Sequence, residues 1–499
     1  MIPRSMLRFL SLVSLLAQLV VLSPLHGSLS RPVKPMAPAE PRIPGSRVSL
    51  ASFGAVPDGE TLNTAAFAHA IAALSERGGG TLVVPAGIWL TGPIELQSRI
   101  DLHLEAGAVI QFSSDHRYYP MKLFDARGER SVDTTSPLSG NHLEDIAITG
   151  SGVIDGGGHA WRMVKKGKTT LAFWNALVAS GGLTNDQGDL WWPNEASRDG
   201  EAAVQGLEMR GSIDVAEYEP WRVFLRPRLV RLFECRRVLL EGVTFRNAPN
   251  WTLHPWLCED VTIRSVNVFN DRWAQNSDAL DVDSCRRVVV RACIIDTGDD
   301  GLCLKSGKDS VGRRIGVPTE EVLIEDCTVY DGHGGFTIGS ERSGGVRNVL
   351  VQNCTFIGTD LGLRFKTARG RGGVVENIHV RGIRMLGIVG SAIDFNFFYF
   401  SEHEASAPVP SVTESTPVFR NILFEDILSR GSKAAFTLRG LPEMPLRDIT
   451  FRDVSLASRL GADLAYGERV TFERVRIQPA EGAAVRTHAM LGSRLDLVP

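Results

Sequence analysis

The chain has 499 residues, of which 54 are Lys or Arg and 57 are Asp or Glu, giving a formal net charge of −3. A charge so close to neutral excludes the broad basic surface of a nucleic-acid-binding protein and a strong attraction to anionic membranes. Any affinity for a polyanion must therefore come from a local cluster of cations.

The amino-terminal segment has the pattern of a secretory signal peptide. Arg4 and Arg8 precede an apolar run that begins at residue 9, and small and polar residues follow it. A retained membrane anchor is the alternative, although the run is slightly short for a membrane span. We predict a signal peptide over 1–27, a proline-rich leader over 28–46 and a secreted or periplasmic protein.

An amphipathic helix is predicted next, over residues 63–77, with Asn63 or Thr64 at its N-cap and three glycines after it. The sequence that follows is repetitive. A helix at this point would cover the open apolar end of a solenoid.

A triplet with apolar residues at its first and third positions recurs from residue 238 onward, and this alternation is typical of a β-strand. Offset two from the start of each triplet is apolar, offset five is apolar or cysteine, and offsets three and four are polar or small. The apolar positions thus change from even to odd offsets, which predicts a bend between two strands. The triplets begin at Val238, Val261, Val288, Val322, Val349, Ile378, Ile422, Ile449 and Val470.

This spacing is typical of a solenoid and predicts an all-β fold, a right-handed single-stranded parallel β-helix over 47–499 with an N-terminal capping helix. Strand patterns at 100–104 and 146–148 extend it, and an insertion is expected over about 160–220. Cys293, Cys327 and Cys354 share offset five, so we predict buried core residues rather than disulfides. No metal or other cofactor is predicted.

A third strand in each coil carries the polar residues that point to chemistry. Because the apolar residues of these strands face inward, their neighbours form outward columns, one of Asp281, Cys303, Thr337 and Arg364 and the next of Asp283, Lys305, Gly339 and Lys366. Asp278 and Asp300 precede equivalent inner residues, so we expect their carboxylates about 5 Å apart on neighbouring coils. Asp299 is expected to point elsewhere, and His333 to lie one coil beyond it.

Stacked carboxylates of this kind suit glycoside hydrolysis, which needs one acid to protonate the leaving oxygen and another group to activate water. We predict Asp299 as the proton donor, with Asp278 and Asp300 holding the water. His333 would orient Asp299, while Arg364 and Lys366 would bind an anionic sugar. The alternative for the aspartates alone is ordinary turn chemistry.

Four motifs resemble those of glycoside hydrolase family 28, the polygalacturonases. They are Asn276-Ser277-Asp278, Gly298-Asp299-Asp300, Gly332-His333-Gly334 and Arg364-Phe365-Lys366. The resemblance implies inverting hydrolysis of α-1,4 galacturonosyl linkages, with a pectic polysaccharide or oligogalacturonide as the substrate. It gives Asp299, Asp278, Asp300 and His333 as catalytic residues and Arg364, Lys366, Asn276 and Tyr399 as substrate-binding residues.

The mode of action depends on the insertions. Five tryptophans lie in or beside the insertion at 160–220, and a second insertion spans 401–417. If these segments close one end of the groove, the enzyme would be exo-acting; alternatively, the tryptophans form the core of the insertion. A hydrolase of a rhamnogalacturonan-type or other uronic polymer, a Ca-dependent pectate lyase and a non-catalytic glycan-binding β-helix remain alternatives.

Overall fold

The computed structural model describes residues 33–399 and 408–499. The signal peptide predicted over 1–27 lies outside the described residues, and so does part of the insertion expected over 401–417. Within the described ranges, no helix is long and apolar enough to cross a membrane.

The protein is a right-handed parallel β-helix, as predicted, in which each coil contributes strands to three faces. The first face holds β1 (Arg47–Ser49), β2 (Gly80–Val84), β5 (Ile100–Leu104), β10 (Glu144–Gly150), β16 (Arg236–Glu241), β19 (Glu259–Arg264), β22 (Arg286–Arg291), β25 (Thr319–Glu325) and β28 (Val346–Gln352). The second holds β3 (Gly87–Thr91), β6 (Ala108–Phe112), β11 (Val153–Asp155), β17 (Thr244–Arg246), β20 (Asn267–Phe269), β23 (Ile294–Thr297), β26 (Thr328–Asp331) and β29 (Thr355–Ile357).

The third face carries the predicted polar columns. It holds β4 (Ile94–Glu95), β9 (Leu138–Asn141), β15 (Val230–Phe233), β18 (Leu253–Trp256), β21 (Leu280–Asp283), β24 (Leu302–Lys305), β27 (Phe336–Ile338), β30 (Leu363–Lys366) and β32 (Ser391–Asn396). Towards the carboxyl end, longer strands run through the bends: β31 (Val374–Leu386), β33 (Val418–Arg439), β34 (Leu446–Glu468) and β35 (Thr471–Leu491).

The bend predicted at the polar pair is confirmed. The residue at offset four of each triplet has a φ between 52° and 105°, in the left-handed region that Gly, Asn and Asp tolerate best. The coils therefore turn at the same point, which keeps the strands in register. These residues are Gly150, Gly242, Ser265, Ala292, Asp326, Asn353, Gly382, Asp426, Asp453 and Arg474.

Stacked apolar side chains fill the interior. Phe365 and Phe395 stack with ring centroids 4.3 Å apart. All seven cysteines are free and buried, and Cys293, Cys327 and Cys354 lie in the core as predicted. Helix α1 (Thr64–Glu76) closes the amino-terminal end and packs its apolar side chains into the same core. Asn63 is its N-cap residue, although the Asn63 side chain bonds to the preceding loop instead of the helix.

Two insertions rise beside the third face. One contains β12 (Val164–Lys165), α2 (Leu171–Ala179), β13 (Leu183–Thr184), β14 (Leu190–Trp192), α3 (Glu195–Met209) and α4 (Val215–Tyr218). Trp161, Trp174 and Trp191 are buried, which favours the core interpretation for these three. The other is an antiparallel hairpin, β7 (Met121–Ala126) and β8 (Glu129–Thr134), which the sequence analysis missed. A short helix, α5 (Asp309–Ile315), follows β24.

The described part of the leader, residues 33–46, lies against the coil turns. Its backbone amides donate to carboxylates that immediately precede the first-face triplets of three coils. These hydrogen bonds join Met36 to Glu321 at 3.1 Å, Ala39 to Asp260 at 3.1 Å and Arg42 to Asp145 at 2.9 Å. The leader is thus tied to the β-helix by its backbone.

Candidate active site

The strand register brings the predicted residues onto one surface. Asp281 of β21 pairs with Cys303 of β24, Cys303 with Thr337 of β27, and Thr337 with Arg364 of β30. The outward column therefore exists as predicted. Its side chains are nevertheless mostly buried.

Asp300 lies at the centre of a buried set of donors. Its Oδ1 accepts hydrogen bonds from Arg364 at 3.0 Å and from the Thr337 hydroxyl at 3.1 Å, and its Oδ2 accepts one from Lys366 at 2.7 Å. Burial by itself raises the pKa of Asp300, but Lys366, Arg364 and Lys305 outweigh it and hold the pKa well below its ordinary value. Asp300 is therefore ionised across the working pH range of most enzymes.

Asp278 occupies the equivalent position on the preceding coil, where the backbone amide of Ala279 donates to the carbonyl of Asp300 at 2.9 Å. Its carboxylate is buried, and Oδ1 has no hydrogen-bond partner among the described residues. Burial first, and then repulsion from Asp281 and Asp299, raises the pKa of Asp278 well above its ordinary value. An ionised Asp278 thus has a free oxygen and a high proton affinity.

Asp299 points away from this pair, as predicted. Its Oδ1 lies 3.0 Å from Nδ1 of His333, and its Oδ2 accepts the backbone N–H of Asn276 at 3.1 Å. Burial raises the pKa of Asp299, but the bond to His333 outweighs burial and gives a net decrease. His333 and the backbone of Asn276 thus hold Asp299 apart from the Asp278–Asp300 pair.

Asn276 helps to hold Asp299 through its backbone. Its φ is 53°, and its side-chain Oδ1 accepts a hydrogen bond from Arg226 at 2.8 Å. Arg226 also donates to the carbonyl of Gln275 at 2.9 Å. Sequence reasoning missed Arg226, because it follows the insertion and belongs to none of the four motifs.

Lys168, from the insertion, is a second residue that sequence reasoning missed. Its Nζ lies 2.8 Å from Nε2 of His333 and 3.3 Å from the carbonyl oxygen of Gly298. An ammonium group only donates, so Nε2 is the acceptor and Nδ1 carries the proton that His333 donates to Asp299. Lys168 therefore selects the tautomer of His333.

Lys305 contacts the carboxylates on the Asp278 side of the site. Its buried ammonium lies 3.6 Å from Asp278, 3.3 Å from Asp281 and 3.3 Å from Glu341. Burial raises the pKa of Asp281 to about 7, against the opposing effect of Lys305. The predicted columns contain both Asp281 and Lys305, but sequence reasoning gave neither a role.

Arg364, Lys366 and Tyr399 come together as the motif alignment implied. The guanidinium of Arg364 lies 5.5 Å from the centre of the Tyr399 ring, and the ammonium of Lys366 lies 5.1 Å from it. Both cations bind Asp300 as well. Substrate binding by these three residues stays a prediction.

Two cavities adjoin the aspartates. One, of about 470 Å³, is lined by Lys168, Arg272, His333 and Asp360 among others, and it reaches Asp299 through His333. The other cavity, of about 290 Å³, has Glu341 in its wall. Lys305 contacts both Glu341 and Asp278 and so links this cavity to Asp278.

A metal ion has one candidate position in the described part of the chain. Asp278, Asp300 and Cys303 bring ligand atoms within 4.8 Å of one another. The ammonium groups of Lys305 and Lys366 already lie 3.6 Å and 2.7 Å from the two carboxylates and compensate their charge. The donor set therefore suits proton transfer better than a divalent cation, which prefers several uncompensated oxygen ligands.

A separate acid beside two stacked carboxylates, on one face of a parallel β-helix, is an arrangement that suits a glycoside hydrolase. Residues 223–472 match the model of glycosyl hydrolases family 28. A probable polygalacturonase of Vitis vinifera is 30% identical over 82% of this chain and 74% of its own length. An exo-poly-alpha-D-galacturonosidase of Dickeya chrysanthemi is 27% identical over 79% of this chain and 64% of its own.

Solved structures agree with these relatives. A hyperthermoactive exopolygalacturonase from Thermotoga maritima superposes with a TM-score of 0.76 at 33% identity, over 90% of this chain and 95% of that one. The chain belongs to glycoside hydrolase family 28. It is therefore a glycoside hydrolase, as the motifs predicted.

Proposed function

We propose that this enzyme hydrolyses α-1,4 galacturonosyl linkages in pectin or pectic oligosaccharides, with inversion, and that it acts from a chain end. The observation that carries the proposal is the division of the aspartates. Asp300 is ionised by three donors, Asp278 has a free oxygen beside it, and Asp299 lies apart, in contact with His333.

The reaction assigns one step to each carboxyl group. A water molecule held between Asp278 and Asp300 attacks the anomeric carbon and passes its proton to Asp278. The bond from the anomeric carbon to the glycosidic oxygen breaks, and that oxygen takes the proton of Asp299. Substrate entry excludes water from the Asp299–His333 pair, which favours the neutral carboxylic acid that donates.

The charge around the aspartates supports an acidic sugar. Arg364 and Lys366 both bind the carboxylate of Asp300 and place two cations beside the aspartates, where a substrate carboxylate could also be bound. Lys168 and Arg272 add cations to the cavity beside His333. A uronic residue next to the scissile bond is the matching ligand.

Exo action is supported by the relatives from Dickeya chrysanthemi and Thermotoga maritima, whose names describe exo-acting enzymes. The hairpin β7–β8 and the insertion that carries Lys168 also narrow the approach to the third face. A groove that the hairpin and the insertion restrict in this way admits the end of a polysaccharide chain more easily than its middle.

Digestion of polygalacturonate in excess chelator tests this function. We expect new reducing ends without unsaturated, ultraviolet-absorbing products, and galacturonate monomer from the earliest times. Unsaturated products that disappear with chelator would instead identify a lyase. A ladder of oligomers at early times would remove the exo assignment but keep the hydrolase.

A further inference from the structure

Asp281 is a buried carboxyl group that has no part in the proposed reaction. It lies on β21, three residues after Asp278, and none of its side chain is exposed. Neither of its carboxylate oxygens has a hydrogen-bond partner among the described residues. Asp300, by comparison, accepts hydrogen bonds from three side chains. Burial of an ionised carboxylate without hydrogen-bonded donors is unfavourable, so this environment favours the neutral acid of Asp281.

One ammonium group faces three carboxyl groups at this point. Nζ of Lys305 lies 3.3 Å from Asp281, 3.6 Å from Asp278 and 3.3 Å from Glu341. Within residues 33–399 and 408–499, Asp278 and Asp281 form no other ion pair. Glu341 is 29% exposed and its pKa is lowered to about 2, so it is ionised. The single charge of Lys305 does not balance two further carboxylates, and Asp278 and Asp281, the Asp278–Asp281 pair, therefore retain one proton between them.

The other titratable groups around the Asp278–Asp281 pair do not supply the missing positive charge. Two are acidic, and burial keeps the other two neutral; they are Asp299, Asp300, the Cys303 thiol and the His254 ring. Arg226 is a more distant cation whose hydrogen bonds go to residues 275 and 276. The two cations of β30 bind Asp300. These surroundings favour a protonated member of the pair.

The position of this proton decides whether Asp278 can act. With the proton on Asp281, the charge of Lys305 compensates an ionised Asp278, whose side chain is 4% exposed and keeps one oxygen free. With the proton on Asp278, that group can no longer accept a proton from water. Burial raises the pKa of Asp281 to about 7, so Asp281 holds a proton well in neutral and mildly acidic solution.

We propose that Asp281 holds a proton during catalysis and thereby keeps Asp278 ionised as the acceptor of the water proton. This inference rests on the proposed function. Asp281 is a positioning residue in this scheme, because it acts through Asp278 and takes no part in bond breaking. Its own proton is not consumed. The water proton moves to Asp278 and is released to solvent after the product leaves.

Asp281→Asn tests the proposal, because asparagine has nearly the shape of the neutral acid and cannot ionise. On trigalacturonate, Asp281→Asn should keep at least about one tenth of kcat. The acidic limb of its pH profile, where Asp278 gains a proton, should stay within about half a pH unit of its place in the unaltered enzyme.

An Asp281 that is ionised during catalysis predicts a different pH profile. Its replacement by asparagine would remove a negative charge beside Asp278 and lower the pKa of Asp278. The acidic limb would then move to lower pH by about one unit or more. Such a shift overturns the proposal, and so does a loss of kcat beyond about 100-fold in a variant with an unchanged circular dichroism spectrum.

Thermal stability gives a second readout that needs no substrate. Because the pKa of Asp281 in the folded protein is raised from 3.8 to about 7, the unaltered protein loses stability from this group as the pH rises through that interval. Asp281→Asn removes this loss, so its Tm should exceed that of the unaltered protein by a difference that grows from pH 4 to pH 7. Asp496→Asn, at a side chain that is 81% exposed, is the control and should follow the unaltered protein. A lower Tm in Asp281→Asn that falls further as the pH rises overturns the proposal.

The proposal is also testable if Asp281→Asn does not fold. Asp281→Ala is also neutral at this position and should keep the acidic limb in place. In the unaltered protein, the infrared C=O band of a protonated carboxyl group should persist above pH 6 and disappear near pH 7. Absence of this band above pH 6 overturns the proposal. Failure of the unaltered protein to cleave trigalacturonate removes the proposed function, whereas the Tm and infrared results do not depend on cleavage.

Discussion

At the residue scale, Asp299 differs from the other aspartates in its contacts with His333 and Asn276. We expect Asp299→Asn to lower kcat by about 10² to 10⁴-fold, the usual contribution of general acid catalysis, with little change in KM. The measurement is steady-state release of reducing ends from trigalacturonate. The matched control is Asp296→Asn, since Asp296 is half-buried on β23 outside the group. Near-normal kcat in Asp299→Asn would remove the proton-donor assignment.

A substitution of Lys168 tests whether the tautomer of His333 contributes to catalysis. Lys168→Met removes a cation beside Asp299 and frees His333 Nε2, so kcat should fall by about 10-fold. The pKa of Asp299 should rise, because a nearby positive charge is lost, and the alkaline limb of the pH profile of kcat should move to higher pH.

A full pH profile of both limbs gives this result, with Lys165→Met as the control at a neighbouring exposed lysine. An alkaline limb that stays in place in Lys168→Met would show that the contact is structural only.

At the element scale, strand β30 has two separate functions on its two faces. Phe365 points into the core between the cations Arg364 and Lys366, and it is fully buried against Phe395. We expect Phe365→Ala to reduce the free energy of unfolding by about 3–5 kcal/mol. Urea unfolding followed by circular dichroism measures it. Phe269→Ala, at a side chain that is 42% exposed, should cost far less; equal losses would contradict the inward register.

The strands and their register were predictable because the same offsets recur in every coil. Polar or small residues at offset four marked the bends, and the motifs at Asp278, Asp299, Asp300 and His333 then fell onto adjacent coils. The hairpin β7–β8 was not predictable in the same way. It occurs once, and its strands have short, mixed patterns with exposed residues on both faces.

Contacts between the insertions and the coils were also beyond sequence reasoning. Lys168 lies 165 residues from His333 and Arg226 lies 50 from Asn276, and no repeat period links either pair. Periodicity turns sequence distance into spatial distance only inside the solenoid. Arg364 and Lys366 lie inside the solenoid and were placed on the correct face, but the repeat period does not give the direction of a long side chain, so their contacts with Asp300 were not foreseen.

At the scale of the whole molecule, buried charges tie stability to pH. Burial raises the pKa of Glu341, but Lys305 and Lys366 outweigh it and lower the pKa from 4.5 to about 2. A depressed pKa in the folded state gives stability that is present above pH 4.5 and is lost as the pH falls towards 2. Protonation of Asp300 acts in the same direction.

We therefore expect Glu341→Gln to have a lower Tm than the unaltered protein at pH 6, with a difference that shrinks as the pH falls from 4.5 towards 2. Thermal unfolding followed by circular dichroism across this range measures the difference. Glu414→Gln, at a side chain that is 85% exposed, is the control and should follow the unaltered protein. A constant difference between Glu341→Gln and the unaltered protein would show that the ionised carboxylate adds nothing.

The most direct test of the proposed mechanism is the anomeric configuration of the first product. Proton NMR during the first minutes of hydrolysis, before mutarotation, distinguishes the two anomers of released galacturonate. Water held by Asp278 and Asp300 attacks opposite the leaving oxygen, so an α-linked substrate should give the β anomer first. Initial release of the α anomer would mean a covalent intermediate and would contradict the roles of all three aspartates.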